Sequence, residues 1–466
     1  MKSEYVINRD LSEIVQNKVK SQLVGDFDVI IAGGGVAGFA AAISASRAGA
    51  KTCLIERSQL IGGTATSGLM NLFCTSYKKS RGIAKELFNR LILENAAYPT
   101  GLVPLVPFDT EICKIVMFEM LEEANVTLYL DSLIVDALVK KDIIEGLVIE
   151  NKSGRQVLLA NRFIDATGDA DICAFAGVPF IKGRESDNKL RPMTLIFMVA
   201  GVDINKLIKY VKQNPNEFSP DPMKCRINKK DKDIRIFGYF NIVKKAKEAG
   251  DLCDVINYFR MESIIPERGL GTVNTIRIYN VDGTNIQDVI KAQIIARKQE
   301  KQLIKFMRKY IPGCENCFII ASAHTMGVRE TRRINGNFEL SEKDILLNKS
   351  YSDTIAIDCN RLTSGCESHS PDGNEGDEYD KSIRGGISQL VEYEIPYRCL
   401  IPKKITNLLV AGRCISATHT GNKYTRNMPA CMYTGQAAGI AAAFSILSNV
   451  PVKDVDIKRV QKHLRL

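Results

Sequence analysis

The amino-acid sequence predicts an α/β fold: a mostly parallel sheet with an antiparallel meander on its flank and a mixed α+β block inserted into it. Three observations predict this. Near the N-terminus a β-branched apolar run passes through a glycine-rich turn into an alanine-rich run. Two further apolar runs, far along the chain, end in small residues in the same way. Between them, from about residue 181 to 393, the pattern changes to mixed strands, lysine-rich helices and one long polar loop.

Residues 1–25 read as an N-terminal extension. The start, MKSEYVINRDLSE, carries early charges and no apolar core segment, so no secretory signal is expected and a cytoplasmic location follows. Phe27 to Ala32 reads as a buried parallel strand and Val36 to Ala48 as a helix. Between and into them, Gly33, Gly35 and Gly38 fit G-x-G-x-x-G. The first glycine permits a tight turn, the second lets backbone approach a pyrophosphate, and the third lets helix and strand pack closely. Lys51 to Ile55 is a second strand ending at Glu56, with Arg57 beside it. An acid about 20 residues past such a loop is where ribose hydroxyls are held, so the unit predicts a Rossmann-like dinucleotide site.

Gly62, Gly63 and Thr64 form a second glycine loop. Phe163 to Asp171, FIDATGDAD, is a strand ending in Ala166, Thr167, Gly168 and Asp169. Asn407 to His419, NLLVAGRCISATH, is another, ending in Gly412 and Arg413. Four such strand ends suit one extended cofactor across the carboxyl edge of a parallel sheet. Ile134 to Phe163 reads as the antiparallel meander, turning at Asn151 to Gly154. The expected organisation is a cofactor domain from 26–180 and 394–450, a substrate domain from 181–393 and a C-terminal tail from 451–466. The polar loop 364–380 reads as a mobile lid. Ala437 to Leu447 reads as a packed helix rather than a membrane span.

The set DVIIAGGGVAG, Glu56, GGTATSG, DATGD and NLLVAGRCIS resembles the FAD-dependent oxidoreductases of the glutathione-reductase superfamily. It is most similar to a bacterial branch distantly related to the fumarate reductase flavoproteins. RPMTLIFMVAGVD (191–203), MGVRETRRI (326–334), YEIPYRCLIPK (393–403) and RNMPACMYTGQAAG (426–439) share the resemblance, which spans roughly residues 26–450. It implies FAD in a Rossmann-like domain. Gly33, Gly35 and Gly38, with Val36 and Ala37 at the helix start, would lie against the pyrophosphate. Glu56 and Arg57 would lie at the adenosine ribose. Gly62, Gly63 and Thr64 would sit near the ribityl chain and flavin, and Ala166, Gly168, Asp169, Gly412 and Arg413 would close the site from the other side. Pro429 would open the last helix and aim its start, through the backbone of Ala430 and Cys431, at the flavin pyrimidine. Disulfide reductases of the superfamily place a cysteine directly after the glycine doublet. None stands there, so a dithiol mechanism is not expected. A second G-x-G-x-x-G for a nicotinamide cofactor is also missing.

Thirteen cysteines, an odd and irregular set, are expected to be reduced thiols. Cys314 and Cys317 form a CxxC with no second pair, so no metal site is expected. The net charge of +10 is read as solvated lysine faces. The acid/base candidates are His324 and His419; His369 lies in the polar loop. Arg329 and Arg426 are candidate clamps for a substrate carboxylate, while ion pairs with Glu330 and other acids are the alternative for Arg329, Arg332 and Arg333. The function expected is hydride transfer between a small organic substrate and flavin, the substrate being an acid if the arginines clamp a carboxylate, with the electron partner undefined. The competing readings are a flavin-dependent RNA-modifying enzyme, though no RNA-binding segment stands out, and a non-catalytic flavin-binding protein. A homo-oligomer is compatible with the sequence.

Overall fold

The computed structural model describes residues 4–8, 13–17, 20–99, 105–219, 225–227, 234–265, 269–361 and 390–465. The polar loop 364–380, with His369, lies outside the described residues.

The main sheet is built on a glycine turn and a doubly used strand. Strand β1 (Gln22–Ala32) ends in the fully buried run Val29 to Ala32 and feeds helix α1 (Val36–Arg47). Strand β2 (Thr52–Ile55) returns parallel to β1, and helices α2 (Gly82–Leu93) and α3 (Thr110–Glu123) precede β3 (Thr127–Tyr129), parallel to β2. Strands β4 (Leu133–Lys140), β5 (Ile143–Asn151) and β6 (Gly154–Asp165) form the meander. Its second turn is the expected one: Ser153 N donates to Asn151 Oδ1 at 2.8 Å, and Gly154 takes φ +101°. The first half of β6 pairs antiparallel with β5, while β6 also runs parallel to β1 along Gln156 to Asp165. Its last residues, Phe163 to Asp165, pair parallel with a strand from the far end of the chain, Leu408 to Val410. The strand order is β3–β2–β1–β6–β5–β4, with that late strand beside β6.

A second sheet is antiparallel. It contains β7 (Phe197–Ala200), β8 (Ile234–Gly238), β9 (Phe259–Ile265), β10 (Leu270–Val273) and β11 (Phe318–Ser322) in the order β8–β9–β10–β7–β11. The long helix α4 (Ile286–Tyr310) contributes Ala292, Ala296, Leu303 and Phe306 to its core. That core draws on residues from Met193 to Ala323, with Leu69 added. The segment 334–361 stands inside the block expected to form the substrate domain. Its buried Ile334, Leu340, Ile345 and Ile355 instead join the first core, because the hairpin β12 (Thr354–Arg361) and β13 (Leu390–Pro396) packs on the last long helix.

After β14 (Leu408–Val410) the chain enters that helix, α5 (Met428–Leu447). It lies against α1 through missing side chains. A Cβ on Gly435 would stand 2.1 Å from Ala37 O, and one on Gly439 would stand 2.3 Å from Ala41 O. Among the described helices, α5 alone is long and apolar enough to cross a membrane by length and composition, and 83% of its apolar window is buried inside the protein. The tail 451–466 is not loose: a helix over Ile457–Leu464 buries Val460 and Leu464, and the His463 ring meets Phe444 edge-on at 5.4 Å.

Candidate active site

Four backbone turns converge at the carboxyl edge of the main sheet. Gly33 has φ +93°, and a Cβ there would strike Ala166 O at 2.6 Å. A Cβ on Gly38 would come within 1.8 Å of Gly33 O, so helix α1 can start this close to its own turn only without a side chain. Gly62 N donates to Gly34 O at 2.8 Å, and a Cβ on Gly63 would stand 3.1 Å from Gly35 Cα. Gly412 has φ +84° and would meet Ala37. Gly35 differs from these glycines: a Cβ there would meet no protein atom within 4 Å. The protein fills the space beside every neighbouring glycine and leaves it open at the second of the motif.

The start of α1 has no side-chain cap, and its first backbone bond runs from Phe39 N to Gly35 O at 2.9 Å. The N–H groups of Val36, Ala37 and Gly38 are therefore the donors at the helix start, a disposition that suits an anion. Glu56 stands at the rim of this turn, with Oε2 accepting from Gly34 N at 2.7 Å and Oε1 from Ser58 N at 2.9 Å; Arg57 is exposed beside it.

The DATGD turn is shaped by a residue absent from the sequence expectations. Asp165, fully buried, accepts from Thr167 Oγ1 at 2.7 Å and from Cys173 N at 3.0 Å. Asp169 then accepts from Arg413 Nη2 at 2.6 Å and from Thr331 Oγ1 at 2.7 Å, which joins the two late turns to the segment 329–333. Several buried polar atoms around this edge have no hydrogen-bond partner among the described residues: Arg413 Nη1, Asn422 Oδ1, Thr425 Oγ1 and Ser67 Oγ. Orphaned buried groups are costly, and their gathering here fits a polar ligand lying along the edge.

The helix α5 start is modified in one respect from expectation. The helix opens at Met428, with Pro429 in its first turn, and Cys431 N already donates to Asn427 O at 2.8 Å. The Cys431 N–H is thus committed inside the helix, and Met428 and Ala430 supply the donors at its start. The Cys431 thiol is buried and pushed up to about 12 by that burial, so it stays protonated.

Beside this helix start lies a charged cluster. Glu330 is 2% exposed and pairs with Arg333 and with His419 Nδ1, the latter at 2.8 Å. Arg191 N donates to its other oxygen at 3.3 Å, and Arg191 Nη2 donates to His419 O at 2.6 Å. Arg333 Nε also donates to Ala417 O at 2.9 Å. Burial works against the Glu330 charge, but the hydrogen bond to His419 and the charges of Arg191 and Arg333 hold its carboxyl below the ordinary range. Burial, then the Arg191 charge, push His419 below its ordinary value despite Glu330. Burial together with the charges of Arg191 and Arg329 pushes Arg426 down to about 9. Four arginines thus gather at two carboxylates, the buried Glu330 and the exposed Glu185, which accepts from His419 N at 3.2 Å and stands 3.7 Å from Arg333 Nη2. Arg332 is spent elsewhere, on Asp171 Oδ1 at 2.8 Å and Asp169 O at 2.8 Å, so the ion-pair alternative holds for Arg332 and Arg333. Arg329 donates to Pro192 O at 3.0 Å.

The two histidine candidates part company. His419 is 2% exposed and built into the ion-pair cluster. His324 is exposed, and its backbone N–H donates to Ser67 O at 2.8 Å, which seats it beside the second glycine loop. Arg191 opens the 191–203 stretch of the resemblance but is not named there as a site residue; only the fold brings it to residues 330 and 419. All twelve cysteines among the described residues are free thiols, and Cys314 and Cys317 are buried in the second core.

The family model described as FAD dependent oxidoreductase matches residues 28–464. The chain belongs to this family. It is an FAD-dependent enzyme, and the open space at Gly35 and the orphaned polar atoms are where the residues present fit FAD. A fumarate reductase (cytochrome) of Shewanella frigidimarina is 48% identical over 58 residues, which cover 12% of this chain and 10% of that protein's length. The myxobacterial chondrochloren halogenase CndH, a variant of the FAD-dependent halogenases, has a similar fold with a TM-score of 0.50 at 10% identity, covering 95% of this chain and 78% of that one. A geranylgeranyl bacteriochlorophyll reductase-like protein of Thermoplasma acidophilum gives a TM-score of 0.49 at 13% identity, over 95% of this chain and 83% of that one.

Proposed function

We propose that the protein transfers a hydride between a small organic acid and the N5 atom of FAD. The observation that carries the reading is the excess of guanidinium over carboxylate beside α5: Arg191, Arg329, Arg333 and Arg426 against the buried Glu330 and the exposed Glu185. A site with more fixed positive than negative charge favours an anionic guest, and arginine can grip a carboxylate through two parallel N–H donors. FAD, when bound, supplies the two-electron chemistry; the protein binds, orients and polarises.

The residues divide the work. Arg426 and Arg329 hold the substrate acid. Glu330 keeps Arg191, Arg333 and His419 in place. His324, exposed beside the second glycine loop, is the group able to exchange a proton with solvent and substrate. The start of α5, through Met428 and Ala430 N–H, favours negative charge at the flavin pyrimidine.

The test is anaerobic bleaching of the FAD-loaded protein with a panel of small hydroxy acids and matched neutral alcohols. Reduction by acids, lost in Arg426→Ala with FAD retained, is the expected result. Reduction by neutral alcohols alone would overturn the reading. Nothing observed favours nucleic acid: Lys229, Lys230 and Lys232 lie outside the described residues, and Lys247 donates to Asp254 O and Asn257 Oδ1.

A further inference from the structure

A buried carboxyl outside the arginine cluster has a hydrogen-bonding arrangement that only one protonation state satisfies. Asp358 on β12 and Tyr393 on β13 face each other in register. Both are 1% exposed. Asp358 Oδ1 accepts from Thr75 Oγ1 at 3.0 Å and from Cys359 N at 2.9 Å. Asp358 Oδ2 lies 2.9 Å from Tyr393 Oη, which in turn lies 2.9 Å from Tyr424 O.

A phenol carries one hydrogen. With Asp358 ionised, that hydrogen serves one of the two contacts, and the other presses two oxygen lone pairs together at 2.9 Å. With a proton on Oδ2, both contacts are hydrogen bonds: Asp358 O–H donates to Tyr393 Oη, and Tyr393 O–H donates to Tyr424 O. The division of labour on the carboxyl agrees, since Oδ1 takes both donors and Oδ2 takes none but the phenol.

Among the described residues no charged side chain bonds the carboxyl; Arg235, Arg260 and Glu262 act on Cys74, one neighbour away. Cys74 and Thr75 face the carboxyl from the segment after the second glycine loop, Cys431 and Tyr433 from α5, Tyr393 from β13 and Cys359 from its own strand. Burial pushes the Cys74 thiol up to about 11 and raises Tyr393 and Tyr433, so all are neutral. Lys79, on the far side of Cys359, is paired with Glu392 at the surface. Burial pushes the Asp358 carboxyl up to about 6, against the hydrogen bonds from Tyr393 and Thr75.

We propose that Asp358 is a protonated carboxylic acid in the folded protein at mildly acidic pH and, through Tyr393, a positioning residue for the turn that carries Arg426. Tyr424 is the last residue but one of the short helix His419–Thr425, and Arg426 caps that helix. The proton on Asp358 aims the Tyr393 hydrogen at Tyr424 O. Ionisation draws that hydrogen back to the carboxylate and leaves Tyr424 O to the longer bonds from Asn427 N at 3.4 Å and Nδ2 at 3.2 Å. The positioning half rests on Arg426 being the substrate clamp; the proton itself does not.

Asp358→Asn mimics the protonated acid, because its Nδ2–H can donate to Tyr393. The unfolding midpoint of the FAD-loaded protein is compared with that of Asp358→Asn across pH 5 to 8. A free aspartate titrates near 3.9. A carboxyl raised in the folded state costs stability as pH climbs from the unfolded value through the folded one, and the asparagine escapes that cost. The advantage of Asp358→Asn should therefore grow with pH and level off. A variant equally destabilised at pH 5 and pH 8 overturns the proton assignment. If Asp358→Asn does not fold, ¹³C resonances of labelled aspartate carboxyls in the unsubstituted protein decide, and a fully ionised Asp358 at pH 5 overturns it. For positioning, oxalate is the probe, read by flavin absorbance. At pH 5, Tyr393→Phe should weaken oxalate several-fold and leave FAD affinity unchanged, while Asp358→Asn binds oxalate as the parent does. Unchanged oxalate binding in Tyr393→Phe overturns the positioning role. A parent protein that binds no oxalate would instead count against the anion site, and the stability profile would still judge the proton.

Discussion

The glycine turns at the sheet edge and the arginine cluster beside α5 are neighbours built on opposite terms. The first is shaped by side chains that are missing: Gly38, Gly63, Gly412, Gly435 and Gly439 each let backbone or helix come closer than a Cβ allows. The second is crowded with long, charged side chains folded around Glu330. A surface made by absence is fixed by backbone spacing and tolerates no additions. A surface made by charge is fixed by mutual neutralisation and tolerates no deletions.

That contrast can be broken in order of expected effect. Gly35→Leu should abolish FAD binding while leaving the unfolding midpoint of the apoprotein unchanged, because the added side chain enters space that no protein atom occupies. Flavin fluorescence after gel filtration, with calorimetry alongside, checks both halves; a bound flavin in this variant would put the pyrophosphate elsewhere. Glu330→Ala should cost about 3–5 kcal/mol, as for any buried ion pair stripped of one partner, since Arg191 and Arg333 then lose their counter-charge and His419 its hydrogen-bond partner. Urea unfolding measures it, and a change under 1 kcal/mol on that scale would mean the cluster is not coupled through Glu330. Gly435→Ala should cost about 1–3 kcal/mol by overpacking against Ala37 O, and it should loosen FAD only as far as it shifts α1. Arg426→Ala should weaken an anionic ligand about tenfold, on the order of 1.4 kcal/mol, without weakening FAD. Paired binding isotherms decide, and equal losses for both ligands would make Arg426 a cofactor residue.

The smallest effect is in pH. His419 has a folded value below the ordinary 6.5, so the unfolded chain takes up the proton first. Stability held above about pH 6.5 should decline as pH falls through that value, by a fraction of the Glu330→Ala loss. A His419→Gln variant with the same decline would assign it to another group.

The same contrast explains what the sequence disclosed. Glycines at fixed spacing between a strand and a helix announce themselves in one short stretch, so Gly33, Gly35, Gly38 and Glu56 were legible, as were the later turns at Gly168 and Gly412. The arginine cluster is drawn from residues 191, 329–333 and 419–426, and charge carried that far apart has no local signature. Arg191 looks like any surface cation until the fold sets its backbone N–H on Glu330 and its guanidinium on His419 O. The boundary of the inserted block was blurred for a related reason: residues 334–361 are assigned to the first core only by their packing. The start of α5 was legible from Pro429, but the commitment of Cys431 N to Asn427 is a matter of helix register that a sequence does not display.

One strand has a bearing on how the molecule is made. Residues Phe163 to Asp165 of β6 find their second neighbour only in Leu408 to Val410. At a synthesis rate of about 5–20 residues per second, the nascent chain carries that edge uncovered for roughly ten seconds or more. The glycine turn is complete by then, but the Gly412–Arg413 wall has not been translated. An amino-terminal fragment ending before β14 should therefore present an unpaired strand edge to its neighbours and fail to retain flavin. The ribosome must finish nearly the whole chain before cofactor capture can lock the sheet.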